Sequence, residues 1–113
     1  IMNVISYSDF LKVDIRVGTI IGADQNNNLN KPSIILEIDF GEEIGLKKSS
    51  AQLKSNYDAE KLISKQVAAV INFPPKQIGK HISEVLVLGF PDSNDEPILV
   101  SPDLKIKNGS RLY

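Results

Sequence analysis

The side chains in this sequence that could support catalysis are few. His81 is the only histidine and lies two residues before Ser83, while Glu42 and Glu43 are adjacent in a polar turn. A serine nucleophile would need a base, an orienting carboxylate and a glycine-flanked turn, and no such glycine pattern surrounds this serine. The sequence therefore predicts a protein that is not an enzyme, in which His81 is an ordinary surface residue.

The sequence does not indicate cofactor sites either. It contains no cysteine, no cluster of metal ligands at a known spacing and no glycine-rich phosphate loop. We expect no catalytic residue, no bound metal and no cofactor. No apolar run approaches the roughly 20 residues that a membrane span needs. With Met2 as the expected start and no signal-peptide pattern after it, we expect a cytoplasmic protein without membrane insertion.

Side chains that could bind an anionic polymer are more numerous. Arg16 is one of two arginines, and its planar guanidinium can pair with a phosphate through two hydrogen bonds. An equally weighted alternative pairs Arg16 with Asp14 or Glu37 on the same polar sheet face. Asn72, which precedes a proline corner, either bonds nearby backbone or presents its amide to a ligand. The further candidate cations are Lys31, Lys47, Lys48, Lys76 and Lys80.

Charge is unevenly distributed along the 113 residues. Residues 1–43 carry three basic and seven acidic side chains, residues 44–81 seven and two, and residues 82–113 three and five, giving −4, +5 and −2. A net charge of −1 does not indicate a general nucleic-acid binder. Aromatic residues make up 6% and tryptophan is absent, which argues against base stacking. Binding of a folded RNA through phosphate and 2′-hydroxyl contacts remains open, as does an ordinary solvated lysine face.

The elements that would position these side chains begin with a short helix and a strand. Tyr7, Phe10 and Leu11 follow helical spacing, and Ser6 with Asp9 forms a capping-box pattern. Residues 13–21 then alternate apolar and polar, which predicts a half-buried strand whose odd-numbered residues face inward. A polar loop is expected over residues 24–32.

The remaining pattern predicts several strands and a second helix. Residues 33–40 place four apolar side chains on one face, and a glycine-containing turn leads into a paired strand from residue 44. A short helix is predicted over residues 57–65, with Asp58 as a possible N-cap. Apolar strands at 67–73 and 84–90 flank the corner formed by Pro74 and Pro75, and a last short strand covers 98–100.

This order of elements predicts one all-β domain over residues 1–113. Five strands with a short helix between the third and fourth, and another helix at the N-terminus, are typical of the five-stranded Greek-key barrel called the OB fold. A split α+β sandwich is the main structural alternative. The length is sufficient for one core without disulfides.

Several segments taken together resemble one family. They are VDIRVGTI, LEIDFGEEIGLKKSSAQL, YDAEKLISKQVAAVINFPPKQIGKHISEVLVLG and VSPDLKIKNGSRLY. The ordered set resembles the tRNA-binding domain, an OB-fold module that is found free-standing and in methionyl-tRNA synthetases as a C-terminal domain. It is most similar to the free-standing CsaA-like members. The likeness extends from about Phe10 to Tyr113.

The resemblance implies a function and a set of RNA-facing residues. It implies a non-catalytic tRNA- or RNA-binding protein that acts as an export-related molecular chaperone for unfolded or exported polypeptides. The alternatives are a purely peptide-binding chaperone and a trans-acting tRNA-binding cofactor of a synthetase. Leucine stands at position 86, where the synthetase domains usually carry methionine, which fits a shift toward peptide binding. The implied RNA-binding residues are Arg16, Lys31, Asn72, Lys76, Ser83 and Leu86.

The resemblance also implies a homodimer. Its interface would be built from the N-terminal helix, residues 6–12, and the C-terminal segment from about residue 102 to 113. The apolar side chains there would then face a second copy of the chain. They are Tyr7, Phe10, Leu11, Leu104, Ile106 and Leu112.

Overall fold

The computed structural model describes residues 2–26, 33–53 and 56–113. Its elements, numbered along the chain, are α1 (Tyr7–Leu11), β1 (Ile15–Asn26), β2 (Ser33–Asp39), β3 (Leu46–Ala51), α2 (Ala59–Leu62), β4 (Gln66–Val70), β5 (Lys76–Ile78), β6 (His81–Ser83), β7 (Leu86–Val87), β8 (Gly89–Pro91) and β9 (Pro97–Leu99).

Five of these strands form one curled antiparallel sheet in the order β3-β2-β1-β4-β7. The arrangement β4-β1-β2-β3 is a Greek key. The main-chain N–H of Glu84 donates to the Lys48 carbonyl at 2.8 Å, and Ser49 Oγ donates to the Val85 carbonyl at 3.0 Å. These bonds bring β3 against the chain that leads into β7. The predicted five-stranded OB-type barrel with two short helices is therefore confirmed.

The core lies inside the curled sheet, and β2 supplies three of its buried side chains. Ile34, Leu36 and Ile38 are completely buried, and Phe40 directly after the strand is 1% exposed, as the alternation predicts. Gly18 of β1 lies against this wall, since a Cβ built there would be 2.6 Å from the Ile38 side chain. The core therefore requires glycine at this position.

The predicted facing of β1 is wrong. The core-facing residues include Gly18 and Ile20, while Ile21 is 44% exposed. A register shift against β2 lies between Ile20 and Gly22. Val17, on the opposite face, is nevertheless buried, because the C-terminal part of the chain covers it. Arg16 thus shares its strand face with the core residues Gly18 and Ile20 and not with a solvated polar face.

Both predicted helices are present, and one is shorter than expected. In α1 the capping box is complete, since Ser6 Oγ accepts from the N–H of Asp9 and the Asp9 carboxylate accepts from the N–H of Ser6, both at 3.1 Å. No α1 side chain is buried. The helix α2 covers four of the nine predicted residues, and Asp58 is its N-cap without a side-chain capping bond. Leu62 anchors α2 in the core.

The chain around the proline corner differs from the prediction. β4 ends at Val70 instead of Phe73. The N–H of Ile71 still bonds the Asp14 carbonyl in the β1–β4 register, but Pro74 and Pro75 just beyond it have no N–H to continue the ladder. Residues 76–83 form an additional hairpin, β5–β6. The predicted strand 84–90 is divided into β7 and β8, since the carbonyl of Leu88 turns to accept a bond from Val100.

Candidate functional site

The C-terminal strap, residues 101–112, runs beside the N-terminal part of β1. It occupies the same edge of β1 that β2 pairs with further along the strand. The N–H of Gly109 donates to the Val17 carbonyl at 2.8 Å, and the N–H of Val17 donates to the Ser110 carbonyl at 3.1 Å. The N–H of Leu112 donates to the Ile15 carbonyl at 2.9 Å. This pairing places Arg111 directly opposite Arg16. The two arginines of the sequence are therefore cross-strand neighbours, although they are far apart in sequence.

Both arginines share one carboxylate. Arg16 donates from Nε to Asp14 Oδ1 at 2.6 Å and from Nη2 to Asp14 Oδ2 at 3.3 Å. Its remaining nitrogen, Nη1, donates to the Gly109 carbonyl at 2.9 Å. Arg111 Nε lies 3.5 Å from Asp14 Oδ1, and its Nη2 donates to the Leu11 carbonyl at 2.7 Å. The structure therefore shows the ion pair of Arg16 with Asp14, and the place of Arg16 among the RNA-binding residues stays a prediction.

The pKa of Asp14 reflects this pairing. The hydrogen bond from Arg16 lowers the pKa of Asp14 below the ordinary aspartate value, and partial burial opposes that shift. The same hydrogen bond raises the pKa of Arg16, so the guanidinium stays protonated. The charged pair thus holds α1, β1 and the strap together at one end of the barrel.

Replacing Asp14 by asparagine should lower the free energy of unfolding by roughly 1–2 kcal/mol at neutral pH, because two arginines lose their counter-charge. A lowered pKa in the folded state stabilises the fold above the unfolded-state pKa and loses that effect as the pH falls. The difference between the two proteins should therefore be complete at pH 7 and shrink below about pH 4. Urea unfolding across pH measures it, and a pH-independent difference would contradict the ion-pair role.

Asn72 also bonds this end of the barrel. Its Oδ1 accepts from the N–H of Asp14 at 3.0 Å, and its Nδ2 donates to the Lys12 carbonyl at 2.7 Å. Asn72 therefore bonds backbone, but its partners lie 58 and 60 positions away and not beside the proline corner. Its amide fixes the link between α1 and β1. Its place among the RNA-binding residues stays a prediction.

The hairpin β5–β6 brings two other predicted site residues together. Lys76 and Ser83 are direct cross-strand partners, and Gly79 turns the chain with a φ of +60°. Ser83 Oγ accepts from the N–H of Ser50 at 3.2 Å, which ties the hairpin to β3. Leu86 follows the hairpin and is 50% exposed. Lys31, the remaining predicted site residue, lies outside the described residues.

A groove of about 340 Å³ crosses the outer surface of β1–β3 beside this hairpin. In OB folds, the outer surface of the second and third strands with its flanking loops is a common ligand site. His81 lines the groove, which sequence reasoning alone did not anticipate. The groove-lining residues are Gly22, Asp24, Gln25, Asn26, Ile35, Leu36, Glu37, Lys48 and His81.

The lysines around this hairpin differ in their pairing. Lys47 Nζ lies 3.9 Å from the Glu84 carboxylate. In the part of the chain that the structure describes, no carboxylate lies within 4 Å of the amino groups of Lys48, Lys76 or Lys80. All three side chains belong to exposed residues. They are therefore available to an anionic ligand, whereas Arg16 is already paired.

A second surface feature is apolar and lies on the terminal segments. Of the predicted interface residues, Tyr7 is 70% and Leu104 is 75% exposed. Leu11, Ile106 and Leu112 are each a little under half exposed. The Tyr7 and Phe10 rings stack loosely with centroids 6.3 Å apart. Exposed apolar side chains concentrated on one pair of segments are typical of a protein–protein interface.

Within residues 2–26, 33–53 and 56–113, no group of three or more histidine, cysteine or acidic side chains could hold a metal ion. No helix there has the length and apolar character needed to cross a membrane.

Comparison with known proteins gives a consistent result. Residues 15–111 match the family model of a tRNA binding domain. Two crystal structures, chaperone CsaA from Bacillus anthracis and the CsaA chaperone protein from Picrophilus torridus, superpose with TM-scores of 0.90 and 0.89 at 42% and 45% sequence identity. They cover 98% and 97% of this chain and the whole of each of those chains.

More distant matches are synthetase-related. A methionyl-tRNA synthetase-related protein from Pyrococcus horikoshii superposes with a TM-score of 0.86 at 21% identity, over 99% of this chain and all of that one, and shows the shared fold. The methionine–tRNA ligase of Methanococcoides burtonii is 34% identical over 98% of this chain. The chain spans only 16% of that ligase's length.

Proposed function

Because this chain belongs to the tRNA binding domain family and is a CsaA-like member of it, we propose that it binds tRNA or another structured RNA without catalysing a reaction. The observation that carries the proposal is the match of the family model over residues 15–111. Lys48, which lines the outer groove, and Lys76 and Lys80 of the neighbouring β5–β6 hairpin support it, because none has an ion-pair partner among the described residues and a phosphate backbone needs such cations.

The RNA would lie across the outer surface of β2–β3 and the β5–β6 hairpin. Lys48, Lys76 and Lys80 would contact phosphates, and Lys31 belongs to the same proposal. Arg16 and Asn72 would act mainly by holding the barrel end in place, because their polar atoms already bond protein groups. Ser83 and Leu86 would contribute the uncharged part of the surface.

Filter binding of purified tRNA over a salt series tests this function. Each phosphate contact contributes roughly −0.7 to −0.9 to the slope of the logarithm of affinity against the logarithm of salt concentration. We expect tight binding at low salt and a steep loss as salt rises. Absence of binding at low salt, or an affinity that does not depend on salt, would refute the RNA-binding proposal.

We further propose that the chain forms a homodimer through α1 and the strap and acts as a cytoplasmic, export-related chaperone. The superposition on two CsaA chaperone structures supports the chaperone role. Exposed Tyr7, Leu104 and Leu112 support the dimer. A role as a separate tRNA-binding cofactor of a synthetase is the alternative, supported by the ligase relatives.

Suppression of aggregation separates these roles. The purified protein should keep a chemically denatured, unrelated client in solution when present in equimolar amount. An equal mass of an inert protein of similar size is the control. If both proteins leave the client to aggregate equally, the chaperone role is wrong and the cofactor role gains support.

A further inference from the structure

The barrel of this protein is closed over only part of its length. Across the seam between β3 and the chain into β7, hydrogen bonds join Lys48 to Glu84, Ser49 to Val85 and Ser50 to Ser83. Among the described residues, no hydrogen bond crosses the seam beyond Ser50. Beyond this point the facing edges of β3 and β7 are not joined by a hydrogen bond between described residues.

The free edges carry main-chain groups that face each other. The N–H of Phe40 donates to the Gly45 carbonyl, so these two residues form a hydrogen-bonded pair of the β2–β3 ladder. Hydrogen-bonded and non-hydrogen-bonded pairs alternate along an antiparallel ladder. The main-chain groups of Lys48 and Ser50 in β3 therefore point away from β2. In β7, the N–H of Leu88 bonds the Ala68 carbonyl on β4, so Val87 turns its N–H and carbonyl toward the seam. No described residue provides a main-chain partner for the Ser50 carbonyl or for these two groups of Val87.

The space between these edges is an uncharged groove of about 310 Å³. Its lining differs from that of the outer groove, where Asp24, Glu37 and Lys48 contribute charges. The lining residues of the seam are Ser49, Ser50, Ala51, Gln52, Leu53, Ser83, Val85, Leu86, Val87, Leu88, Gly89, Pro97 and Leu99. A phosphate backbone is complementary to cations, which this lining does not supply. Unpaired ladder groups above an apolar floor are complementary to an extended, uncharged polypeptide.

We propose that the seam binds one extended, apolar segment of an unfolded polypeptide by strand addition between β3 and β7. The inference rests on the proposed chaperone function and assigns it a site that adjoins the lysine-rich RNA surface at Ser83 and Leu86. The bound segment would bond the Ser50 carbonyl on one side and Val87 on the other. Its inward-facing alternate side chains would contact Val85 and Leu99, so the site would select apolar residues at every second position and reject charged ones.

The test uses a fluorescently labelled peptide of alternating valine and serine, about seven residues long, whose central residues would occupy the seam as one strand. Anisotropy should show saturable binding that changes little with salt. Replacing one central amide of the peptide by an ester removes a donor and should weaken binding about five- to tenfold. An ester at the last residue is the control and should have little effect. Equal affinities of both ester peptides and the amide peptide would overturn strand addition.

A protein variant locates the site. Val87→Pro removes the N–H that faces the seam and keeps the ladder to β4, which Leu88 makes. It should weaken peptide binding about five- to tenfold and leave tRNA binding unchanged. The variant without Lys48, Lys76 and Lys80 should show the opposite pattern. If Val87→Pro weakens tRNA binding and not peptide binding, the seam belongs to the RNA site and the proposal is wrong.

Failure of the seam and failure of the chaperone role give different results. If the native protein suppresses client aggregation while Val87→Pro and the ester peptides change nothing, the chaperone role stands without the seam. If the peptide binds as predicted but client aggregation is not suppressed, the seam is a peptide site and the chaperone role is wrong.

Discussion

Replacing Gly109 by alanine should detach the strap from the barrel and lower the free energy of unfolding by roughly 2–4 kcal/mol. Gly109 has a φ of +90°, which costs any residue with a Cβ. A Cβ at this position would also lie 2.5 Å from the main-chain oxygen of Phe40, which cannot rotate away. Both effects act at Gly109 itself, whose N–H donates to the Val17 carbonyl and whose carbonyl accepts from Arg16.

Gly45→Ala is the matched control for this variant. Gly45 has a φ of +84°, but a Cβ there would have no neighbour within 4 Å. Gly45→Ala should therefore lower the free energy of unfolding only through the strained backbone conformation, by roughly 1 kcal/mol. Urea unfolding compares the two, and hydrogen exchange at Val17 and Leu112, whose N–H groups bond across the strap and β1, reports whether the strap has opened. Equal destabilisation by both substitutions would show that the contact with Phe40 is not tight.

The Gly109 variant also bears on assembly. The strap carries Leu104, Ile106 and Leu112, so its release should weaken the proposed dimer, and light scattering should show a shift toward monomer for Gly109→Ala only. A dimer that persists with a detached strap would place the interface elsewhere.

The combined substitution of Lys48, Lys76 and Lys80 by alanine should weaken tRNA binding about 30- to 100-fold at low salt. Three phosphate contacts would be lost, so the slope against the logarithm of salt should become shallower by about 2 to 3. The side chains lie on exposed residues, so the fold itself should remain stable. Thermal unfolding confirms that the loss is one of binding.

The control removes the same charge from other parts of the surface. Lys61, Lys105 and Lys107 are also exposed, and none lines the outer groove. Their joint replacement by alanine changes the net charge equally and should reduce affinity less than about threefold. If this control is as damaging as the first variant, binding depends on net charge and not on the hairpin surface.

Secondary structure and burial were predicted correctly for elements in which only one face contacts the core. The alternating apolar residues of β2 and the capping box of α1 follow local rules, and both are found as predicted. β1 could not be predicted in this way, because both of its faces are covered near Val17. The strap that covers one of them follows about ninety positions later, and no local pattern reveals that pairing.

The sequence indicated which residue types could bind RNA, but not which contacts those residues make. Lys76 and Ser83 meet across one hairpin, and the turn at Gly79 was evident, but the three-residue strands beside it are too short to show a period. The partner of Arg16 could not be chosen from sequence, since Asp14 and Glu37 were both expected on the same sheet face as Arg16. His81 was set aside because a single histidine carries little information until its neighbours are known.

The pairing of the strap with β1 also has a kinetic consequence. The hydrogen bond between Arg16 and Gly109 joins residues 93 positions apart, which closes a loop of almost the whole chain. Closing such a loop is entropically costly and is compensated only when the rest of the barrel has formed. The strap should therefore add last during folding and be the first segment to open in the native state. A protein whose proposed partner-binding side chains lie on its last-folding segment would associate only after its barrel is complete.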